Sequence, residues 1–247
     1  MEWQENGYVI STRKYGENAV ILDAFTRERG RFQGLVRGGM GRSKRSLLQV
    51  GNLLKLNWRA RIEDQLGQYQ VEAIKLNTGY IISSKLAPLG LSSICELLKI
   101  LPDRQAYAQL YDGFETVLTH LVEDDNWLPL LIKWQIGFLQ QMGYGLDLSQ
   151  CAVTGTVDNL RYISPKTGRA VCEDVGLPYK GKLFVIPPFI YGDYEQKITA
   201  DHLFEGFKIT EFFLKKHIYN VQNLPFPEAQ KLLSDRVFKL TQIDIEN

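Results

Sequence analysis

Apolar and polar residues alternate through the first third of the chain, then give way to helical spacing near residue 80. The stretches 8–11 (YVIS), 19–25 (AVILDAF) and 31–36 (RFQGLV) read as strands, with Gly30 as a turn residue. In 53–62 the apolar positions Leu54, Leu56, Trp58, Ala60 and Ile62 fall on one face, and 67–76 (GQYQVEAIKL) alternates again. Five short strands without an intervening helix pattern predict a small closed or sandwich-like β domain, most simply a barrel of the OB type. The expected fold class is α+β, with this barrel over residues 1–79 and a helical domain over 80–247.

In the second part, 92–101 (SSICELLKIL) places Ser93 and Glu96 at capping-box spacing. Helical stripes follow in 104–121 and in 126–143, the latter after the capping candidates Asp125 and Asn126 and ending at Gly143. The aromatic residues of these stripes are read as core. The pattern breaks over about 144–195, rich in Gly and Pro and holding two cysteines. Helical periodicity returns in 200–218 and 226–240, with Pro227 suited to a first turn.

Charge changes this picture. The chain of 247 residues has a net charge of +1, but residues 13–61 carry twelve Lys/Arg against Glu17, Asp23 and Glu28. That segment is therefore +9 and the remainder acidic, a split that points to a polyanion-facing surface. No apolar run has the length of a membrane span, and no signal peptide is evident. Three cysteines argue against a disulfide scaffold, so a cytoplasmic protein is expected.

Catalytic patterns fail. "GGMGRSK" is not a phosphate-binding P-loop, because Gly41 is followed by Arg42 and Ser43 and position 36 is Val. His120, His202 and His217 stand in separate helical stretches, and neither H-E-x-x-H nor G-x-S-x-G occurs. No enzyme is expected. Cys151 and Cys172 have the outer spacing of a four-cysteine zinc ribbon, but Thr154 and Arg169 replace the inner pair. Neither metal nor cofactor is expected there, and Cys95 reads as core.

The basic segment is the strongest candidate site. Arg37, Arg42, Lys44 and Arg45 sit in a glycine-rich connection, "RGGMGRSKRS", where Gly38, Gly39 and Gly41 allow close backbone approach. Arg13 and Lys14 end the first strand; Arg27, Arg29 and Arg31 crowd a turn; Arg59 and Arg61 alternate on a later strand. Such side chains follow a phosphate backbone and release counterions without sequence choice. Tyr8, Tyr15, Phe32 and Trp58 are candidate base-stacking faces, although several must fill the barrel.

Residues 15–61, together with "MGYGLDLSQCAVTG" at 142–155 and "YISPKTGRAVC" at 162–172, resemble the RecO family of bacterial recombination and repair proteins. The resemblance runs in matching order over nearly the full chain. It implies an OB-fold barrel, then a helical bundle carrying a zinc-ribbon-like insertion. It further implies binding of single- and double-stranded DNA, annealing of complementary strands and help in loading RecA recombinase. The implied protein partners are RecR and the acidic tail of single-stranded-DNA-binding protein. Lys133 matches a position where the family often carries a basic residue, and is the candidate contact for that tail. Some members bind zinc through four ribbon cysteines; this chain keeps the outer two. A mainly protein-binding adaptor and an OB-type RNA binder are the alternatives.

Overall fold

The computed structural model describes residues 1–62, 65–123, 126–192 and 197–245. The chain divides into two compact units, Met1–Asp125 and Asn126–Asn247.

The first unit begins with strands β1 (Glu2–Tyr15), β2 (Ala19–Thr26) and β3 (Gly30–Val36). A short helix α1 (Arg42–Leu47) follows, then β4 (Leu53–Arg59) and β5 (Gln68–Lys75). The five strands close into a barrel in the order β1-β2-β3-β5-β4. Closure depends on the length of β1, whose first half pairs with β4 and whose second half pairs with β2. Trp3 thus faces Trp58 across the sheet, and Lys14 lies opposite Val20. A single parallel bridge, Leu35 to Gln68, joins β3 to β5.

Alternation supplies the barrel core. Leu54, Leu56 and Trp58 of β4 are fully buried and pack with Val9, Leu22, Phe32, Val36 and Tyr69. The strand stops at Arg59, yet half-buried Ala60 still packs against the core; Ile62 is exposed and leaves the face its alternation suggested. Gly30 turns β2 into β3 at φ +65, and a Cβ there would stand 1.7 Å from the carbonyl oxygen of Gln105. Only glycine suits that contact.

Helices α2 (Thr78–Ser83), α3 (Ala87–Leu98) and α4 (Ala108–Glu123) belong to the same compact unit. Tyr8 and Phe25 of the barrel meet Tyr111 and Phe114 of α4 in edge-on and tilted aromatic contacts. Ser93 does not cap a helix, as its spacing to Glu96 suggested; it is buried in the middle of α3. The hydroxyl of Ser84 instead accepts from the backbone N–H groups of Leu86 and Ala87 as the helix begins. Cys95 is buried on α3, and burial pushes its thiol up to about 12.

The second unit opens with α5 (Trp127–Gln141), preceded by Asn126; Asp125 lies outside the described residues. Gly143 follows at φ +84, as a C′ glycine should, with Tyr144 N–H returning to the carbonyl of Leu139. The insertion contains β6 (Leu160–Ile163), β7 (Ala170–Cys172), the single turn α6 (Glu173–Gly176) and β8 (Phe184–Val185). The strands form a three-stranded sheet in the order β7-β6-β8. Helices α7 (Ala200–Leu214) and α8 (Glu228–Ile245) complete the unit. A capping box starts α7: Thr199 Oγ1 accepts from His202 N–H, and His202 Nδ1 accepts from Thr199 N–H. His202 thus has a backbone role that its position alone did not reveal.

Candidate nucleic-acid interface

The basic residues singled out in the first unit separate into three groups. One joins the β1–β2 hairpin to the connection after β3. Arg13 and Lys14 are exposed near the hairpin tip, and Met40 N–H reaches the carbonyl of Asn18 at that tip (3.4 Å). Gly39 is buried against Val20, the partner of Lys14, so its lack of a side chain serves barrel packing rather than a ligand. The segment 42–47, expected to be loop, is the helix α1. It presents Arg42 and Arg45 to solvent, and Lys44 Nζ donates to the carbonyl of Arg37 at 2.8 Å. Arg37 itself is exposed.

A second group surrounds the start of β1. The Met1 ammonium donates to the carbonyl of Ala60 at 2.7 Å. Met1, Arg59, Arg61, Gln65 and Gln68 line an open cleft of about 680 Å³. Arg59 ends β4, whereas Arg61 lies beyond the strand rather than alternating on it. Next to this cleft Trp3 stacks on Trp58 (5.8 Å between centroids) and is only half-buried. The Arg29 guanidinium lies 5.0 Å above the Trp3 ring, and Arg104 lies 4.8 Å above Phe32 while donating to the carbonyl of Gln65. Such cation–π stacking holds a guanidinium flat against an aromatic face.

The third group is engaged within the protein. Arg27 makes a two-pronged pair with Asp112 of α4, at 2.8 and 3.0 Å, and a further contact to Glu28. These bonds hold the Asp112 carboxyl below its usual range. Arg31 turns inward: its Nε lies 2.9 Å from Asp23 and 3.4 Å from Asp103, and its Nη1 donates to the carbonyls of Lys99 and Leu101. Its head group fastens residues 99–103 to β3.

Of the expected stacking faces, Tyr8, Phe32 and Trp58 are buried core, and Tyr15 alone is exposed. Trp3, Arg104 and the Met1 ammonium join the basic surface without having been singled out. No apolar alternation marks Trp3 in "EWQEN"; only its pairing with Trp58 in the folded barrel brings it there.

In the second unit, Cys151 and Cys172 share a small cluster with Tyr162 and Val171. Thr154 Oγ1 lies 3.7 Å from Cys172 Sγ, and the Arg169 guanidinium pairs with Asp147 at 3.2 Å. Lys133 is half-buried on α5.

The chain matches the family model "Recombination protein O N terminal" over residues 1–77 and "Recombination protein O C terminal" over 87–223. It is 38% identical to the "DNA repair protein RecO" of Mesorhizobium japonicum over 93% of this chain and 91% of that one. With the protein of the same name from Chelativorans sp. the identity is 39%, over 93% of each chain. The chain belongs to the RecO family. Its role accordingly lies in recombinational DNA repair. Among the described residues, no helix is long and apolar enough to cross a membrane.

Zinc in this RecO-family chain would need four nitrogen, sulfur or carboxylate donors. A threonine hydroxyl at 154 and a guanidinium at 169, held by Asp147, do not fit that donor set. Among the described residues no group of three or more His, Cys, Asp or Glu is placed to hold a metal. Elemental analysis should return well below one zinc per chain; about one, resistant to mild chelation, would overturn this reading.

Proposed function

We propose that this chain is a non-enzymatic DNA-binding recombination mediator, with an OB-type barrel that contacts the phosphate backbone of single- and double-stranded DNA. The supporting observation is the joined, exposed set Arg13, Lys14, Arg37, Arg42 and Arg45, with Lys44 beside them, on the hairpin tip and α1. Arg59 and Arg61 extend the cationic surface around the Met1 cleft, and Arg29 adds to it over the Trp3 ring. Arg27 and Arg31 drop out of the contact set, since carboxylates and carbonyls already hold their head groups. Neutralising phosphates on two strands lowers the repulsion that slows their pairing, the physical basis for annealing.

Binding to single-stranded DNA, duplex DNA and RNA oligomers across a salt series tests this. We expect sequence-independent DNA binding whose affinity falls steeply with salt. A strong preference for RNA would favour recognition of the 2′-hydroxyl instead. Salt-insensitive or absent DNA binding would leave an adaptor that works through proteins.

Partner contacts with RecR, and with the acidic tail of single-stranded-DNA-binding protein on the way to RecA loading, belong to the same proposal. Lys133 on α5 is the proposed contact for the tail. In the full-length chain, Lys133→Glu should weaken binding of an Asp-rich peptide with an apolar end by about tenfold, because like charges brought together cost on the order of a kcal/mol or more. Unchanged peptide binding would return Lys133 to the helix surface.

A further inference from the structure

Cys151 and Cys172 lie at the place where a metal donor set is incomplete, yet their sulfurs share close partners. The Cys172 backbone N–H points at Cys151 Sγ (3.3 Å). The Thr154 hydroxyl hydrogen-bonds Cys151 and lies 3.7 Å from Cys172 Sγ. Backbone pairing brings the two segments together, with Ala152 N–H donating to the carbonyl of Ala170 at 2.8 Å. Hydrogen-bonded backbones run about 4.7–4.9 Å apart, and a disulfide needs Cα atoms roughly 4.4–6.8 Å apart. All three cysteines of the chain are free thiols in the structure.

We propose that Cys151 and Cys172 are a dithiol pair that a peroxide oxidises to an intramolecular disulfide, a covalent strap across the insertion. The Cys151 sulfur attacks one peroxide oxygen, breaking the O–O bond and giving a sulfenic acid and water. The Cys172 sulfur then attacks the sulfenic sulfur and expels its oxygen as a second water. Two thiols are oxidised by two electrons, one peroxide is reduced to two waters, and a thiol reductant reverses the change.

The local chemistry favours Cys151 as the first to react. Burial works to raise its thiol, but hydrogen bonds from the Thr154 hydroxyl and from the N–H groups of Cys172, Thr154 and Val153 outweigh it and hold it down at about 6. A thiolate is the reactive form. Both sulfurs are buried, but Thr154, which touches them, is exposed, so the pair lies just beneath the surface. Cys95 offers the contrast: it is buried within α3 and its thiol stays protonated.

The test uses the folded full-length protein, a small molar excess of hydrogen peroxide, alkylation under denaturing conditions, and peptide mapping. The expected result is a 151–172 cross-linked peptide lighter by two hydrogens, an alkylated Cys95, and recovery of all three thiols with dithiothreitol. The same treatment of urea-unfolded chain should lose this pairing preference. Cys172→Ser should halt the reaction at a Cys151 sulfenic acid that a dimedone probe traps. If both thiols of the folded protein stay alkylatable, or Cys151 proceeds to sulfinic acid beside a free Cys172, or links form between chains instead, the proposal is wrong.

Discussion

Arg31→Ala is expected to destabilise the first unit by about 3–5 kcal/mol at neutral pH, the usual cost of removing one partner from a buried ion pair. Asp23 is only 3% exposed, and Arg31 Nε at 2.9 Å is its counter-charge, supported by Gln33 Nε2 at 3.1 Å. Truncation would leave the carboxylate buried without that charge, and would also leave the carbonyls of Lys99 and Leu101 without their donor. Even with Arg31 present, burial raises the Asp23 carboxyl above its ordinary value, outweighing the lowering effect of Arg31. A carboxyl raised in the folded state favours folding most below its unfolded pKa, and that contribution is lost as pH rises through the folded pKa. In the variant, therefore, the destabilisation should be largest at neutral pH and shrink in acid, where Asp23 takes up a proton. Adding Asp23→Asn should recover part of the loss. Urea unfolding of the wild type and the two variants at two pH values checks all of this. A loss below about 1 kcal/mol at neutral pH would show that the Arg31 head group does not hold the fold, and would return it to the candidates for phosphate contact.

Arg31 also marks what a linear sequence cannot show. Its spacing from Arg27 and Arg29 reads as a basic turn, but its partners Asp23, Lys99, Leu101 and Asp103 come from separate parts of the chain. Only the folded topology brings them together. The barrel strands were legible because Leu54, Leu56 and Trp58 alternate with polar neighbours, and β3 repeats the same rhythm. The first half of β1 was not, since "EWQEN" offers a single large apolar side chain among polar ones. Helix α1 was hidden for a related reason: six residues with none buried leave no apolar stripe to read. In the insertion, Thr154 and Arg169 between Cys151 and Cys172 were the sequence signal of an incomplete zinc donor set. The hydrogen bonds that make Cys151 acidic come mostly from backbone N–H groups, which no side-chain pattern records.

The segment 37–46 is the proposed phosphate-contact site. Arg37, Arg42 and Arg45 are exposed and Lys44 is half-buried, all on or beside α1. Alanine suits the helical positions 42, 44 and 45, and exposed substitutions usually change stability by no more than about 0.5 kcal/mol each. Among the described residues, the one internal side-chain bond lost is that from Lys44 to the carbonyl of Arg37. Each phosphate contact removed should lower the slope of log affinity against log salt by about 0.9 on duplex DNA and about 0.7 on single strands, whatever the sequence. The decisive measurement is that slope for single-stranded DNA, in the wild type and in the chain carrying Arg37→Ala, Arg42→Ala, Lys44→Ala and Arg45→Ala, with folding verified for both. In the variant a slope shallower by about three units is expected, with a matching loss of affinity. A folded variant that binds DNA with the wild-type slope would contradict it, and the segment would then be a solvated surface with no part in holding DNA.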